Sequence, residues 1–178
     1  PDPVIIDSLY ISLNNVPEKI CVPKQVSFTP LVVSVAGNQS PQNLSYHWDF
    51  GTAQPADTAN VLAPVFNYTQ PGNYLVKLTV QSFAGCKKEV TAPIAALQGL
   101  GPKINGPQSV CEGTTVFFTA ATQIPGQPLW KWIFEDGSTN QLQNPPARVY
   151  NTAGNQQIQL VATNQVCSDT VKQVLVVN

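Results

Sequence analysis

The chain has 178 residues, of which 11% are charged, and its formal net charge is −1 at neutral pH. Average globular proteins carry roughly 25% charged residues, so this chain is nearly neutral and poor in charge. It lacks the basic footprint that binding to nucleic acid or to an anionic membrane requires. No apolar run reaches the roughly 18 residues of a membrane-spanning helix. Methionine is absent, so we expect an internal piece of a longer protein.

The sequence of the first half recurs in the second half, and the separation shrinks along the chain. The recurring blocks are Cys21, Val26 and Phe28 with Cys111, Val116 and Phe118 at 90 residues; Tyr46-His47-Trp48-Asp49-Phe50 with Trp130-Lys131-Trp132-Ile133-Phe134 at 84; Tyr68, Gly72, Val76 and Leu78 with Tyr150, Gly154, Ile158 and Leu160 at 82; and Cys86 with Cys167 at 81. The separation changes only between blocks, in loop-like stretches such as residues 38–43 and 51–56. Because deletions are tolerated in loops and not in strands, we predict one fold occurring twice, as domains 1–98 and 99–178.

Within each half the apolar residues recur with a period of two. Residues 74, 76, 78 and 80 are apolar and alternate with a mostly polar set, and residues 158, 160 and 162 behave in the same way. Such alternation is typical of strands with one buried face. No stretch has helical apolar spacing with caps, and 16 prolines interrupt the chain. We therefore predict an all-β chain of two tandem sandwiches.

The four cysteines permit three pairings. Equivalent residues of duplicated domains should form equivalent bonds, which predicts disulfides Cys21–Cys86 and Cys111–Cys167, one inside each domain. Free buried thiols are the main alternative, and zinc is a remote one, because no Cys-x-x-Cys is present and His47 is the sole histidine. Disulfides persist in oxidising compartments, so this pairing predicts an exported protein, extracellular or at the cell surface.

Two blocks in each half resemble a known family. The first half has Tyr46-His47-Trp48-Asp49-Phe50-Gly51 followed by Tyr68-Thr69-Gln70-Pro71-Gly72-Asn73-Tyr74-Leu75-Val76-Lys77-Leu78, and the second has Trp132-Ile133-Phe134-Glu135-Asp136-Gly137 followed by Tyr150-Asn151-Thr152-Ala153-Gly154. These blocks are similar to the PKD family of immunoglobulin-like domains, named after the polycystic kidney disease protein and common in bacterial surface and secreted proteins. The family hallmark is Trp-Asp-Phe-Gly-Asp-Gly, then Tyr-x-x-x-Gly-x-Tyr-x-Val-x-Leu. Thr52 departs from it in the first half, and Ile133 and Glu135 depart from it in the second.

The residues that match the family motif are predicted to have structural roles. Trp48 and Trp132 should bury large rings between sheets, with Phe50 and Phe134 on the same face; Gly72 and Gly154 should supply turns of positive φ; and Tyr68 and Tyr150 resemble the corner tyrosine of immunoglobulin sandwiches, whose hydroxyl bonds back to the chain.

We expect neither a catalytic site nor a cofactor. A serine triad would have to use His47, and no Gly-x-Ser-x-Gly is present. Glu135 and Asp136 are adjacent, so on a strand they would point to opposite faces, and they are typical of a turn. Calcium is the stronger inorganic alternative, through Asp136 with Glu135 or Asp49 with Asp57, although these provide few of the six to eight oxygens that it prefers.

The resemblance predicts a non-catalytic extracellular interaction or spacer segment, including a role in adhesion. Its partner would be a protein or polysaccharide at the cell surface. The alternative is a carbohydrate-associated accessory module of a secreted hydrolase. A flat patch of exposed aromatic rings would favour that alternative, and the candidates for display are Tyr10 and Trp130, of which Trp130 should share the buried face of Trp132.

Overall fold

The computed structural model describes residues 9–34, 44–53 and 57–178. The predicted loop at residues 38–43 and residues 54–56 of the second predicted loop lie outside the described residues. The chain divides into two compact units, unit 1 from Pro1 to Gln98 and unit 2 from Gly99 to Asn178. The described residues form strands joined by turns and loops. They contain no helix long and apolar enough to cross a bilayer.

Unit 1 is built from nine described strands. They are β1 (Leu9–Ser12), β2 (Lys19–Val22), β3 (Lys24–Ser27), β4 (Leu31–Ser34), β5 (Ser45–Asp49), β6 (Thr58–Ala59), β7 (Val65–Tyr68), β8 (Gly72–Gln81) and β9 (Lys87–Gln98). Five of them form one sheet in the order β2-β9-β8-β5-β6, and the pairs β1-β4 and β3-β7 complete the unit. The pairing of β2 with β9 is parallel, and the other pairings are antiparallel.

Unit 2 repeats this arrangement strand for strand. Its strands are β10 (Lys103–Asn105), β11 (Ser109–Val110), β12 (Thr114–Val116), β13 (Thr119–Ala121), β14 (Leu129–Ile133), β15 (Thr139–Asn140), β16 (Arg148–Tyr150), β17 (Gly154–Thr163) and β18 (Ser168–Val177). The five-stranded sheet has the order β11-β18-β17-β14-β15, with the pairs β10-β13 and β12-β16. The parallel pair again joins the strands of the sheet that come first and last along the chain, β11 and β18. The prediction of two tandem all-β, immunoglobulin-like sandwiches is therefore confirmed.

The hairpins β8–β9 and β17–β18 show how the repeat loses one residue. In unit 1 the turn runs from Ser82 to Cys86, closed by a bond from the Ser82 amide to the Cys86 carbonyl at 2.9 Å, with Gly85 at a φ of 88°. In unit 2 the turn runs only from Asn164 to Cys167, and the Asn164 side chain accepts from the amide of Cys167 at 2.7 Å. An asparagine that accepts from the amides following it makes the shorter turn without a glycine. The change in separation from 82 to 81 thus falls in a turn.

The period-two pattern places one face of each long strand in a core. In β8, Val76, Leu78 and Val80 are fully buried, whereas Leu75 is 56% exposed. In β17, Ile158, Leu160 and Ala162 are likewise buried. Each unit has its own apolar cluster, built on these faces and on the aromatic residues of β5 or β14.

A buried indole lies at the centre of each core. Trp48 and Trp132 have no exposed surface. The indole N–H of Trp48 donates to the carbonyl of Val61 at 2.9 Å, and that of Trp132 donates to the carbonyl of Leu142 at 3.0 Å. A buried indole is stable when its single donor is satisfied, and both units satisfy it from the segment that follows β6 or β15.

Phenylalanine rings surround each indole in the same way. Phe28 lies 5.4 Å from Trp48 and 5.2 Å from Phe50, measured between ring centroids. Phe118 lies 6.1 Å from Trp132 and 6.4 Å from Phe134. Phe50 and Phe134 are 1% and 4% exposed, so both lie on the buried face with the indoles.

Truncation of either indole should unfold its own unit preferentially. We expect Trp48→Ala and Trp132→Ala each to lower the free energy of unfolding of the affected unit by about 3–5 kcal/mol, because a large cavity and an unpaired carbonyl remain. The matched controls are Leu75→Ala and Leu129→Ala, whose side chains are 56% and 75% exposed. These should change stability by no more than about 0.5 kcal/mol. Urea unfolding followed by circular dichroism measures both, and equal losses in a tryptophan variant and its control would contradict the assigned core.

Candidate functional site

The motif turn of unit 1 uses its acidic residues to satisfy the backbone. Asp49 accepts from the amide of Gly51 at 2.8 Å. Asp57 accepts from the amide and hydroxyl of Thr52 at 2.9 and 3.1 Å, and its own carbonyl accepts from the amide of Phe50. Thr52 stands where the family hallmark has its second aspartate, and Asp57 supplies a carboxylate to the same turn from across it. These carboxylates hold the turn closed.

The motif turn of unit 2 is shorter and carries an ion pair. Asp136 accepts from the amide of Ser138 at 2.9 Å and from Arg148 Nη2 at 2.7 Å. Glu135 lies 3.5 Å from the same guanidinium nitrogen. The hydrogen bonds from Ser138, and then that from Arg148, hold the pKa of the Asp136 carboxyl well below its usual range. The two acidic residues thus lie in a turn, and both pair with one arginine.

Arg148 occupies the position that Phe66 occupies in unit 1, since both residues precede the corner tyrosine by two. The Phe66 ring stacks on Phe50 with centroids 4.3 Å apart. The Arg148 guanidinium carbon lies 4.1 Å from the centroid of Phe134. A cation over an aromatic face replaces an aromatic stack, and both cover the same edge of the core. This role of Arg148 was not predicted from the sequence, although the 82-residue separation aligns the two positions.

The corner tyrosines are both buried but differ in bonding. The hydroxyl of Tyr68 donates to the carbonyl of Phe50 at 3.2 Å, as the resemblance implies. In unit 2 the equivalent carbonyl, that of Phe134, accepts from the amide of Gly137 at 3.0 Å. The buried hydroxyl of Tyr150 has no hydrogen-bond partner among the described residues, and burial is the main cause that raises its pKa to about 12. The prediction that both hydroxyls bond back to the chain is therefore wrong for Tyr150, because the Phe134 carbonyl accepts from the Gly137 amide and not from the Tyr150 hydroxyl.

The two motif glycines also differ. Gly154 has a φ of 127°, so its backbone lies in a region that favours glycine, as predicted. Gly72 is not among the glycines of positive φ, and the prediction for it is wrong. A Cβ at Gly72 would lie 3.3 Å from the ring of Tyr74, so the glycine makes room for that ring. In unit 2 the residue two positions after Gly154 is Gln156, which has no ring to accommodate.

His47 lies exposed on β5. Its Nδ1 is 3.0 Å from the side-chain amide of Asn60. The shallow depression beside it contains Thr79 and Glu89, which hydrogen-bond to each other at 3.0 Å. The side-chain contact of the imidazole is with Asn60, and Thr79 and Glu89 are paired with each other.

The exposed aromatic residues lie on different elements of the two units. Among the described residues the exposed rings are Tyr10, Phe83 and Phe117, at 59%, 93% and 69%. Tyr10 lies on β1 opposite Val33, Phe83 lies in the β8–β9 turn, and Phe117 follows β12 in unit 2. Trp130 packs partly buried against the core of unit 2, as its spacing from Trp132 predicts.

The described residues bring together no group of three or more His, Cys, Asp or Glu side chains able to hold a metal ion. Of the candidate calcium ligands, Asp49, Asp57 and Asp136 each accept hydrogen bonds within their own turns, and Glu135 pairs with Arg148.

The cysteines do not form the predicted pairs. Cys21 and Cys167 are disulfide-bonded, whereas Cys86 and Cys111 are free and exposed. The predictions Cys21–Cys86 and Cys111–Cys167 are therefore wrong.

The strand order explains why the predicted bonds cannot form. Cys21 lies opposite Leu97 near the end of β9, whereas Cys86 directly precedes the first residue of β9. At about 3.3 Å per residue the two are roughly 35 Å apart, and a disulfide requires Cα atoms within about 7 Å. In unit 2, Cys111 follows Val110, which lies opposite Val177, whereas Cys167 precedes the first residue of β18. The cysteines of each unit thus lie at opposite ends of its sheet.

The family model agrees with this division into two repeats. The family model described as "PKD domain" matches residues 15–96 and 101–178. No curated protein matches the sequence significantly. Among solved structures, the chain is similar to the fibronectin(III)-like modules of Clostridium thermocellum CbhA, at 12% identity and a TM-score of 0.45 over 95% of this chain and 94% of that one.

Two further structures show similarity at comparable levels. Murine CEACAM1b has 15% identity and a TM-score of 0.38 over 96% of this chain and 100% of that one. The three N-terminal domains of the highly immunogenic outer capsid protein of bacteriophage RB49 have 13% identity and a TM-score of 0.45, over 97% and 70% of the respective chains. Similarity at this level does not indicate a shared ligand. The family model covers most of the sequence in two consecutive matches, and the chain belongs to the PKD domain family.

Thiol labelling should distinguish the four cysteines. In the monomeric native chain, labelled before any disulfide donor is added and without reductant, iodoacetamide should modify Cys86 and Cys111, because both are exposed and free. Cys21 and Cys167 should be modified only after reduction and unfolding. Peptide mass spectrometry reads each site separately. Protection of Cys86 or Cys111 in the native chain would contradict the assignment.

The ion pair of unit 2 should make its stability sensitive to acid. The folded pKa of Asp136 lies below the unfolded value of about 3.9, so its stabilising contribution is complete above that value and is lost as the pH falls through the folded pKa. We expect Asp136→Asn to lower the Tm of unit 2 at neutral pH and to reduce its loss of stability on acidification. Arg148→Gln should reduce this loss less than Asp136→Asn does, because the hydrogen bonds from Ser138 remain. Thermal unfolding between about pH 2 and pH 7 tests this, and an unchanged pH dependence in both variants would contradict it.

Proposed function

We propose that the chain is a non-catalytic interaction and spacer segment of a longer extracellular protein, acting through contacts with other proteins, including adhesive contacts. The observation that carries this proposal is the use of the motif residues. The tryptophans, phenylalanines and acidic residues of both family motifs are buried or bonded within their own turns. Residues engaged in this way build a stable domain and offer no chemistry to a substrate.

The cysteines support an extracellular location. Cys21 and Cys167 are disulfide-bonded, and such bonds persist in oxidising compartments. The low charge of the sequence supports contacts with proteins or other repeats over electrostatic capture of a polyanion.

An apolar strip on unit 1 is a candidate for such contacts. Tyr10 and Val33 lie opposite each other on β1 and β4 and are 59% and 45% exposed. Leu31, two residues before Val33 on the same face, is 51% exposed. Exposed apolar residues that adjoin one another are more typical of contact surfaces than scattered ones.

A polysaccharide-binding accessory module is the alternative. Stacking on sugar rings needs several coplanar aromatic side chains, and Tyr10 is the only ring on the apolar strip. The separation of Tyr10, Phe83 and Phe117 on different elements of the described chain favours protein contacts.

A polysaccharide array probed with the whole chain separates these two functions. We expect no saturable binding, because no aromatic platform is present among the described residues. The test variant is Tyr10→Ala. The control is Leu75→Ala, at an exposed position on β8 outside the apolar strip. Saturable binding to one polymer that is lost in Tyr10→Ala and retained in Leu75→Ala would overturn the proposal and establish the accessory-module function.

A further inference from the structure

The four cysteines occupy two structural positions of the repeat. We call the first the exit-end position, held by Cys21 and Cys111 beside the last residues of β9 or β18. We call the second the hairpin position, held by Cys86 and Cys167 directly before β9 or β18. The two positions lie at opposite ends of each sheet, roughly 35 Å apart.

Each position is disulfide-bonded in one unit and free in the other. At the hairpin position, Cys167 is bonded and only 1% exposed, whereas Cys86 is free and exposed. At the exit-end position, Cys21 is bonded, whereas Cys111 is free and exposed. The repeat itself therefore provides the comparison: each of the two positions holds a disulfide-bonded cysteine in one unit and a free cysteine in the other.

The bonded residues comprise one cysteine of each position, and so do the free ones. One free thiol of each position is therefore available for bonding. A contact between unlike surfaces is head-to-tail, and repeated contacts of this kind build open chains when they do not close into a ring.

Both free thiols lie on backbone that is already fixed. The amide of Cys86 donates to the hydroxyl of Ser82 at 3.2 Å, and its carbonyl accepts from the amide of the same residue. The carbonyl of Cys111 accepts from the amide of Thr114 at 3.2 Å. Thiols held in ordered turns lose little conformational freedom when they form a bond.

Next to Cys86 an apolar side chain projects into solvent. Phe83 is 93% exposed, the highest value among the exposed apolar residues described. A ring at the tip of a hairpin, three residues from a free thiol, would be covered when another repeat binds there.

We propose that Cys86 and Cys111 form disulfides with further repeats of the same kind, the hairpin position of one repeat bonding to the exit-end position of another. The result is a covalently linked, head-to-tail array of PKD repeats, for which a second copy of this chain can stand as the partner. This deepens the proposed spacer function and rests on it. The linkage experiment detects covalent pairing and not ligand binding, so the two proposals can fail independently.

The bond forms by two exchange steps with a disulfide donor. The Cys86 thiolate attacks oxidised glutathione, which gives a mixed disulfide and releases one glutathione thiolate. The Cys111 thiolate of the second copy then attacks the protein sulfur of that mixed disulfide and releases the second glutathione. Two protein thiols lose two protons and two electrons, and one glutathione disulfide becomes two thiols.

The experiment uses two complementary variants of the whole chain. Cys86→Ser retains only the exit-end thiol, and Cys111→Ser retains only the hairpin thiol. Each is incubated alone, and the two are incubated together, in a glutathione redox buffer. Non-reducing electrophoresis and mass mapping of the linked peptides identify the products.

We expect each variant alone to remain monomeric and the mixture to give a reducible heterodimer linked through Cys86 and Cys111. Random pairing would give about twice as much heterodimer as either homodimer. We expect the ratio of heterodimer to homodimer to be clearly larger than that. The wild-type chain should form a reducible ladder, while Cys86→Ser/Cys111→Ser remains monomeric with an unchanged melting curve, which excludes misfolding. Homodimers at random proportions, or no heterodimer at all, would overturn the proposal.

Discussion

The buried indole hydrogen bond is the constraint on which each unit depends. Trp48 and Trp132 are completely buried, and each indole N–H reaches one carbonyl, that of Val61 or Leu142. That bond can form only if β5 or β14 lies in the register that points the indole inward and if the segment after β6 or β15 returns across it. A slip of one residue would turn the indole to solvent and the neighbouring polar side chains into the core.

Around this constraint the two units reach the same fold with different chemistry. The edge of the core that Phe66 covers by stacking in unit 1 is covered by Arg148 in unit 2. The arginine requires counter-charges, and Asp136 and Glu135 provide them in the shortened turn. In this turn the Phe134 carbonyl accepts from the Gly137 amide, and the buried hydroxyl of Tyr150 makes no bond to it. The difference between Phe66 and Arg148 at the edge of the core thus accompanies a shorter turn, an ion pair and an unpaired hydroxyl in unit 2.

The strands and the duplication were predictable because they depend on local patterns. Alternation in β8 and β17 determines which face is buried, and the recurring blocks identify equivalent strands. The disulfides were not predictable in this way. Cys21 and Cys86 appear equivalent to Cys111 and Cys167, but equivalence does not show which end of a sheet a residue occupies. That depends on the parallel pairing of β2 with β9, a contact between distant parts of the chain. The prediction of a positive φ at Gly72 failed because the glycine is required there by the nearby ring of Tyr74 and not by a turn.

The parallel pairing also bears on a spacer function. β2 runs parallel to β9, the last strand of unit 1, and β11 runs parallel to β18 in unit 2. When the chain before β2 and the chain after β9 are pulled apart, the two strands slide in opposite directions, so their hydrogen bonds are loaded together and do not open one at a time. In unit 2 the bonds from Val176 to Gln108, from Asn178 to Val110 and from Glu112 to Asn178 extend this pairing beyond the two strands. The exit-end cysteines adjoin this loaded pair, and a covalent bond there would hold a repeat to its neighbour where tension enters the sheet.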